Sequence, residues 1–463
     1  MKKRTKHQND LGNDPVLPLV LRLAIPSMIG QFVNVLYSVV DRMYIGHIPL
    51  IGDQALAGVG VTGPIVTLIS SFAFWVGIGG APLMSIRMGE KRHHQAEQVL
   101  ANSFVMILVM AVILMGISYL FKTPLLLAFG ASVETLPYAD SYMSAVLTGT
   151  VFSLIANGLN QFIIAQGFAN AGMKSVIIGA VSNIILDPIF IYLLDLGVAG
   201  AAWATVLSQL FSACYVLRIL FGRQLPVRIT FRGYSLRTML IILKIGLAPF
   251  LILAFDNILI ITLNTVLQQA GGERGDMLVA SFTIVQSFMM LITTPLGGIT
   301  GGTQAILGYN YGARQVDRIR EAQRWIIRVA VIFCTVMFVL AQIVPQVFVA
   351  LFSNSPQTME FCTWAIRVYT LGIIPLAVQY AVVDGFTGMG IVRMSLPLSF
   401  LRKLNFFICV FAFAALGGAE AIFYAEPVID VLAGICSGII YFTVYQSILR
   451  KRELSSPAAE KAG

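Results

Sequence analysis

Polar side chains recur at helical spacing within an apolar run near the start of the chain. In the stretch QFVNVLYSVVDRMYIG, residues 31–46, Gln31, Asn34, Tyr37 and Asp41 are three, three and four residues apart, so they share one face of an α-helix. A carboxylate is costly to bury in an apolar helix, and an ionisable group there is by default a candidate functional residue. The spacing therefore predicts a polar surface inside an apolar protein.

A second polar set lies further along the chain, in SNIILDPIF, residues 182–190. Asn183 precedes Asp187 by four residues and shares its face of a helix. Pro188 is predicted to kink this helix and to free a backbone carbonyl beside the carboxylate. Oxygen atoms of this kind suit a small hard cation such as Na⁺, or a proton carried on one carboxylate.

The position of these residues along their helices puts them at one depth. Asp41 lies six residues before His47 and Asp187 lies eight residues before Asp195, where the two helices are predicted to end, and Thr205 lies six residues into the returning helix. At about 1.5 Å per residue, all three are roughly 9–12 Å below the same boundary. The predicted cation-coupling site comprises Tyr37, Asp41, Asn183, Asp187 and Thr205, and the possible Na⁺ ligands are Asp41, Asn183, Asp187 and Thr205.

Asp41 could instead pair with Arg42 or with another arginine purely for packing. Successive residues diverge by about 100° around a helix, so a pair between Asp41 and Arg42 is geometrically poor. A coupling-ion ligand is therefore the preferred interpretation of this carboxylate.

The second half of the chain does not repeat the pattern, since Asn264 stands where Asp41 would map. Asp256 and Asp384 lie in later apolar runs and are candidates for a substrate site or a second ion site. Asp384 lies near the end of its run, and the alternative for it is a solvated or helix-capping carboxylate. Most of the charges singled out within apolar runs are acidic, which favours cationic or neutral cargo. Pro26, like Pro188, is predicted to kink its helix.

Composition identifies the class of protein. The 463 residues are 57% hydrophobic and only 11% charged, with a mean hydropathy of +0.83, and long apolar runs recur throughout. A soluble protein of this size would need a more polar surface. Five scattered cysteines and four histidines form no metal-binding pattern. We therefore predict an all-α polytopic membrane protein with no metal site beyond the possible Na⁺.

Apolar runs and loop signals predict twelve transmembrane helices, called spans 1 to 12. They are expected at 17–46, 56–84, 97–120, 137–165, 169–194, 199–221, 238–268, 278–307, 320–350, 359–387, 394–416 and 428–449. The predicted organisation is an N-terminal tail (1–16), a six-helix bundle (17–222), a linker (223–237), a second six-helix bundle (238–450) and a C-terminal tail (451–463).

The net charge of +9 follows the predicted topology. Basic residues concentrate in both tails and in the even-numbered connections, whereas the odd-numbered connections contain only Lys122 and Arg274. Positive-inside logic places both tails in the cytoplasm and the protein in the cell membrane. Because the basic residues are dispersed over short loops, no nucleic-acid partner is expected.

The two halves echo each other in sequence. Pro26 and Pro249 are 223 residues apart, as are Gly89 and Gly312. Further along, QGFANAG (166–172) resembles DGFTGMG (384–390). LGVAGAA (196–202) likewise resembles LGGAEAI (416–422). Six spans per half predict a parallel repeat, with two bundles facing each other across a central cavity.

The stretches AIPSMIGQFVNVLYSVVDRMYIG, SNIILDPIF and GVAGAAWATVLSQ, within twelve spans in two related halves, resemble the multidrug and toxic compound extrusion (MATE) family, prokaryotic branch. The resemblance implies two bundles that alternate between outward- and inward-open states and export organic cations and drugs in exchange for Na⁺ or H⁺. It also implies an N-lobe cation site at Tyr37, Asp41, Asn183, Asp187 and Thr205, with Asp256 and Asp384 matching acidic residues that some members use.

The expected function is secondary active multidrug efflux, not enzymatic catalysis. The expected partners are small organic cations or drugs and membrane lipid, the protein is expected to be a monomer, and the only cofactor would be the coupling ion. The alternative is a flippase for a lipid-linked precursor, which should carry several basic residues in its cavity. An intramembrane enzyme would need a nucleophile–base pair or a metal cluster, and neither is recognisable in the sequence.

Overall fold

Helix makes up almost all of the described chain. The computed structural model describes residues 9–49, 51–352 and 356–454, and these ranges contain no β-strand. The predicted all-α class is confirmed. The basic residues of the predicted tails at positions 2–6 and at Lys461 lie outside the described ranges.

The first six spans follow the predicted order. The helices are Val16–Gly46 (span 1), Gly52–Gly89 (span 2), His93–Leu120 (span 3), Leu136–Thr148 with Thr150–Leu154 and Asn160–Ile164 (span 4), Ala169–Pro188 (span 5) and Gly197–Phe221 (span 6). Span 4 bends by 60° between Leu136–Thr148 and Thr150–Ile164. Span 5 continues beyond Pro188 as the π-helical turn Ile189–Leu193, so the regular α-helix ends directly after Asp187.

The second six spans are arranged in the same order. The helices are Leu236–Gly271 (span 7), Gly275–Gly312 (span 8), Val316–Ile343 (span 9), Pro356–Tyr369 with Ile373–Gly388 (span 10), Val392–Ala421 (span 11) and Ala425–Ile440 with Gln446–Leu454 (span 12). Short helices at Lys122–Ala128 and Pro345–Val349 precede spans 4 and 10. Gly418, with φ 74° and ψ −169°, breaks the helical backbone and separates span 11 from span 12.

The described helices suit a membrane. Nine helical segments of the described chain are long and apolar enough to cross a membrane, with Val392–Glu453 as one segment. The bent pair of span 4, taken as a single span, makes ten. The reversal at Gly418 and the 36-residue helix Leu236–Gly271 bring the number to the predicted twelve. Apolar side chains such as Leu120 and Phe442 are exposed on the outside, where lipid would cover them.

Left-handed backbone positions repeat between the halves at one spacing, and residues in this region are uncommon unless they are glycine. The pairs are Lys91 and Arg314 (φ 60° and 59°), Gly167 and Gly390 (φ 88° and 73°), and Asp195 and Gly418 (φ 51° and 74°). The residue numbers differ by 223 in each pair, which is the spacing predicted from Pro26 and Pro249. The internal repeat is therefore visible in the backbone itself.

These backbone positions correct two of the predicted sequence alignments. The echo of 166–172 with 384–390 pairs Gly167 with a residue inside the helix Ile373–Gly388, whereas the left-handed turn at Gly167 matches Gly390. The echo of 196–202 with 416–422 is displaced in the same way, because Asp195 matches Gly418. Short runs of small residues resemble one another in several registers, and here the turn geometry fixes the register.

Both ends of the described chain lie on the face that carries the basic loops. Asn9 donates a hydrogen bond to the carbonyl of Gly167 (2.7 Å), and Arg318 donates one to the carbonyl of Asp14 (2.8 Å). At the other end of the chain, Arg452 lies 4.0 Å from Glu90. We call this the basic face. On the opposite face, Arg274 and Glu420 form an ion pair that joins the loops after spans 7 and 11.

The two halves pack tightly against each other near the basic face. Methyl groups added at Gly89 or Gly312 would overlap backbone carbonyls across the interface, those of Tyr309 and Ile86 respectively. Two hydrogen bonds also cross the interface: Trp75 Nε1 donates to the carbonyl of Leu243 (2.8 Å), and Ser85 Oγ donates to the carbonyl of Ala305 (3.0 Å). The two lobes are therefore joined near the basic face, where residues 9 and 454 end the described chain.

Candidate functional site

The predicted polar residues of the N-terminal half meet inside its bundle. Asn183 Nδ2 donates to Asp187 Oδ1 (3.1 Å) along span 5 and lies 3.4 Å from Thr205 Oγ1 on span 6. Asn183 and Asp187 are fully buried, and Asp41 on span 1 is 9% exposed. Three separate spans thus bring together the residues that spacing and depth predict to meet. We call this group the N-lobe cluster.

Several oxygen atoms of the N-lobe cluster have no protein partner. The carboxyl groups of Asp41 and Asp187 are direct neighbours. Asp41 Oδ1, Asn183 Oδ1 and Asp187 Oδ2 are buried without a hydrogen-bond partner. Two adjacent buried carboxylates repel each other unless a cation lies between them, and a buried oxygen without a partner is costly. The chemistry of this donor set therefore fits a bound proton or Na⁺.

Two tyrosines complete the surroundings of the N-lobe cluster. Tyr37, which the sequence predicted, lies near Asp41 and Asp187. Tyr142 on span 4 is 8% exposed and lies next to Thr205, and the sequence analysis missed it. Tyr142 is six residues into the helix that begins at Leu136, so the depth argument that found Thr205 could have found it.

The polar stripe of span 1 divides between two environments. Asp41 belongs to the N-lobe cluster, whereas Gln31 lines a cavity between the lobes and Asn34 is exposed. The polar surface predicted along span 1 is therefore divided, and its first two residues lie outside the N-lobe cluster. Arg42 is exposed and near enough to act on the charge of Asp41, but Asp41 Oδ1 still has no hydrogen-bond partner, so Arg42 does not fill that position.

Both prolines predicted to kink helices lie inside them. Pro188 stands where the α-helix of span 5 changes to a π-helical turn. Pro26 is buried within the helix Val16–Gly46. The effect of each proline on the bend of its helix stays a prediction.

A central cavity of about 390 Å³ lies between the two halves, and its walls come from both of them. Its volume is in the range of pockets that hold drug-sized molecules. The charged residues that line it are Asp256, Asp384, Arg402 and Lys403. None of the N-lobe cluster residues lines this cavity, so the two predicted groups of site residues occupy separate places.

Asp256 and Asp384 differ in their surroundings within the cavity. Asp384 accepts a hydrogen bond from Thr300 Oγ1 on span 8. Asp256 on span 7 forms an ion pair with Lys403 on span 11. The structure therefore brings both predicted residues to the central cavity but gives Asp256 a basic partner that the sequence analysis missed.

A buried charge group lies beside this ion pair. Arg402 donates hydrogen bonds to Asp430 (2.7 and 3.0 Å) and to Glu426 (2.6 Å), which joins spans 11 and 12. The Arg402 side chain is 10% exposed and that of Asp430 is fully buried. The wall of the central cavity itself carries two acidic and two basic residues, and the adjacent basic residues Arg402 and Lys403 within span 11 were the signal that the sequence analysis missed.

These features define a two-lobed membrane transport protein. A model of the MatE family matches the chain twice, at residues 26–189 and 253–416, and the chain belongs to that family. The predicted resemblance is confirmed, and the double match agrees with the internal repeat.

Relatives of known name cover nearly the full length. The multidrug export protein MepA of Staphylococcus haemolyticus is 24% identical over 444 residues, 94% of each chain. An FAD transporter of Shewanella oneidensis is 24% identical over 443 residues, 93% of this chain and 95% of the relative.

Solved structures show the same fold. An outward-facing multidrug resistance MATE transporter of the MOP superfamily superposes with a TM-score of 0.89 at 27% identity, over 97% of this chain and 100% of the neighbour. A MOP superfamily transporter from Pyrococcus furiosus, described as having a binding pocket of reverse polarity, has a TM-score of 0.88 at 28% identity with the same coverage.

Proposed function

We propose that this protein exports drugs and other small organic molecules across the cell membrane in exchange for Na⁺ or H⁺. The observation that carries the proposal is the N-lobe cluster, where Asp41 and Asp187 lie side by side with buried oxygen atoms that lack a partner. The name of the MepA relatives and the drug-sized central cavity support multidrug export.

Separate ion and cargo sites suit an exchanger. A transporter converts an ion gradient into cargo movement only if the ion binds the two access states with different affinity. The N-lobe cluster joins span 1 to spans 5 and 6, and span 1 also carries Gln31 in the wall of the central cavity. A cation at Asp41 would therefore act on a helix that also contacts cargo.

The packing of the lobes supports alternating access. The lobes are joined near the basic face by the contacts of Gly89, Gly312 and Trp75. The excess of basic residues on this face supports a cytoplasmic location for it. In that orientation this conformation closes the cavity toward the cytoplasm, as in the outward-facing neighbour.

The flippase alternative is not favoured by the charges of the cavity. A purely anionic phosphate headgroup would have to displace a carboxylate of the protein from its basic partner and would leave that carboxylate unpaired. Arg402 is held by Glu426 and Asp430, and Lys403 is paired with Asp256. Both basic residues are thus neutralised by carboxylates of the protein.

The test is transport of tetramethylrhodamine methyl ester, a fluorescent cation, by purified protein in liposomes. The membrane potential is held at zero with valinomycin and equal K⁺, and a Na⁺ gradient and a pH gradient are imposed in separate experiments. We expect one of the two gradients to drive net dye movement against its concentration. Equilibration of the dye under both gradients, at the rate seen without any gradient, would overturn the coupling.

A further inference from the structure

We propose that the central cavity selects cargo carrying both a cationic and an anionic group, with the cation binding Asp256 and the anion binding Lys403. This inference rests on the proposed export function and names the substrate class of the same cavity. It makes Lys403 a specificity-determining residue.

The pair that would bind such cargo is reachable from the cavity. Asp256 and Lys403 both line it, and they come from spans 7 and 11. The side chain of Asp256 is 38% exposed and that of Lys403 is 19% exposed. The two side chains are each other's partner in a partly desolvated place, where a charge without a partner is costly.

The neighbouring arginine is not available for this exchange. Arg402 makes three hydrogen bonds to Asp430 and Glu426, and the exposed fractions of these side chains are 10%, 0% and 17%. Arg402 could bind a further anion only if its hydrogen bonds to these two carboxylates were broken. Of the two cations that line the cavity in the described chain, Lys403 is therefore the one that can exchange its partner.

The energetics favour cargo with two opposite charges. A simple cation that takes Asp256 leaves the ammonium group of Lys403 without a partner in a partly buried site, and a simple anion strands Asp256 in the same way. A zwitterion replaces one ion pair by two, so no charge is left unpaired.

A matched pair of dyes tests this. Tetramethylrhodamine with a free carboxylate is a zwitterion at pH 7.5, whereas its methyl ester is a cation with the same ring system. Binding of each dye to the purified full-length protein is measured by fluorescence anisotropy. We expect the wild-type protein to bind the free acid more tightly than the ester. Equal or tighter binding of the ester would overturn the inference even if the ester is exported, and binding of neither dye would count against the export function as well.

Variants then assign the effect to Lys403. In Lys403→Gln, the affinity for the free acid should fall by about tenfold while the affinity for the ester rises, because Asp256 is released. Lys403→Arg keeps the charge and should keep the preference. Arg393→Gln removes one positive charge from an exposed position of the same span and is the matched control. An unchanged ratio of the two affinities in Lys403→Gln would show that the pair only joins spans 7 and 11, and the inference would fall.

Discussion

Replacing Asp187 by Asn should abolish the use of an ion gradient while leaving the protein folded. Asn183 Nδ2 donates to Asp187 Oδ1 at 3.1 Å, and the Oδ1 of an asparagine can accept the same bond. The substitution therefore removes one buried negative charge and little else. Insertion should be preserved, because a neutral amide is less costly in a membrane than a carboxylate.

The size of the effect follows from the burial of the group. Asp187 is fully buried beside Asp41, so its charge interacts with a bound cation at close range. Losing one partner of a buried charge pair costs about 2–5 kcal/mol, which weakens cation binding by at least about thirtyfold. For an exchange of one ion for one cargo, a tenfold ion gradient sustains up to about tenfold accumulation of cargo. In Asp187→Asn this accumulation should fall to none.

The assay is gradient-driven dye accumulation in liposomes, with the amount of folded protein measured by gel filtration. Asp195→Asn is the matched control, because it removes the same charge from an exposed position just beyond span 5. Asp41→Asn should behave as Asp187→Asn does. Normal accumulation by both variants would leave the N-lobe cluster as a packing group and refute the reasoning.

Three further predictions concern the helices. Pro188→Ala should slow dye transport more than it lowers the amount of protein in the membrane; normal transport by a poorly expressed variant would instead make Pro188 a folding element. Arg402→Met should destabilise the protein by about 3–5 kcal/mol, because Asp430 is left buried and unpaired, and the added changes Asp430→Asn and Glu426→Gln should restore part of the thermal unfolding midpoint. Gly246→Val should overlap the carbonyl of Trp75 and slow efflux, whereas Gly438→Val, at a glycine with open space around it, should not.

The N-lobe cluster could be predicted from the sequence because it follows from the spacing of residues within single helices and from their depth along those helices. The spacing of four residues places Asn183 beside Asp187, and depth along a helix brings in Asp41 and Thr205. Tyr142 obeys the same depth rule on a helix to which the rule was not applied.

The charges of the central cavity were less accessible, because their meaning depends on pairing between helices. Lys403 and Asp256 are 147 residues apart, and periodicity within a single helix carries no information about such a contact. Arg402 meets Asp430 only after the chain reverses at Gly418. An adjacent pair of basic residues in an apolar run signals that partners must exist, but not which residues they are.

The register of the internal repeat shows a similar limit. The offset of 223 residues is correct for the early landmarks Pro26 and Gly89, yet short runs of small residues misplaced the later ones. What the halves share at those points is a left-handed turn, as at Gly167 and Gly390, and amino-acid type reports such a turn only loosely.

The glycine contacts between the lobes bear on leakage. At Gly89 and Gly312 one lobe touches the backbone of the other, so much of the contact is made by dispersion forces. Such forces lose a quarter to a half of their strength when a gap of about 0.5–1 Å opens. A slightly parted interface is then nearly as costly as a fully parted one, which favours two discrete arrangements over a continuum. Water and ions would thus find few half-open molecules to pass through, and ion gradients across the membrane would not be dissipated by leakage.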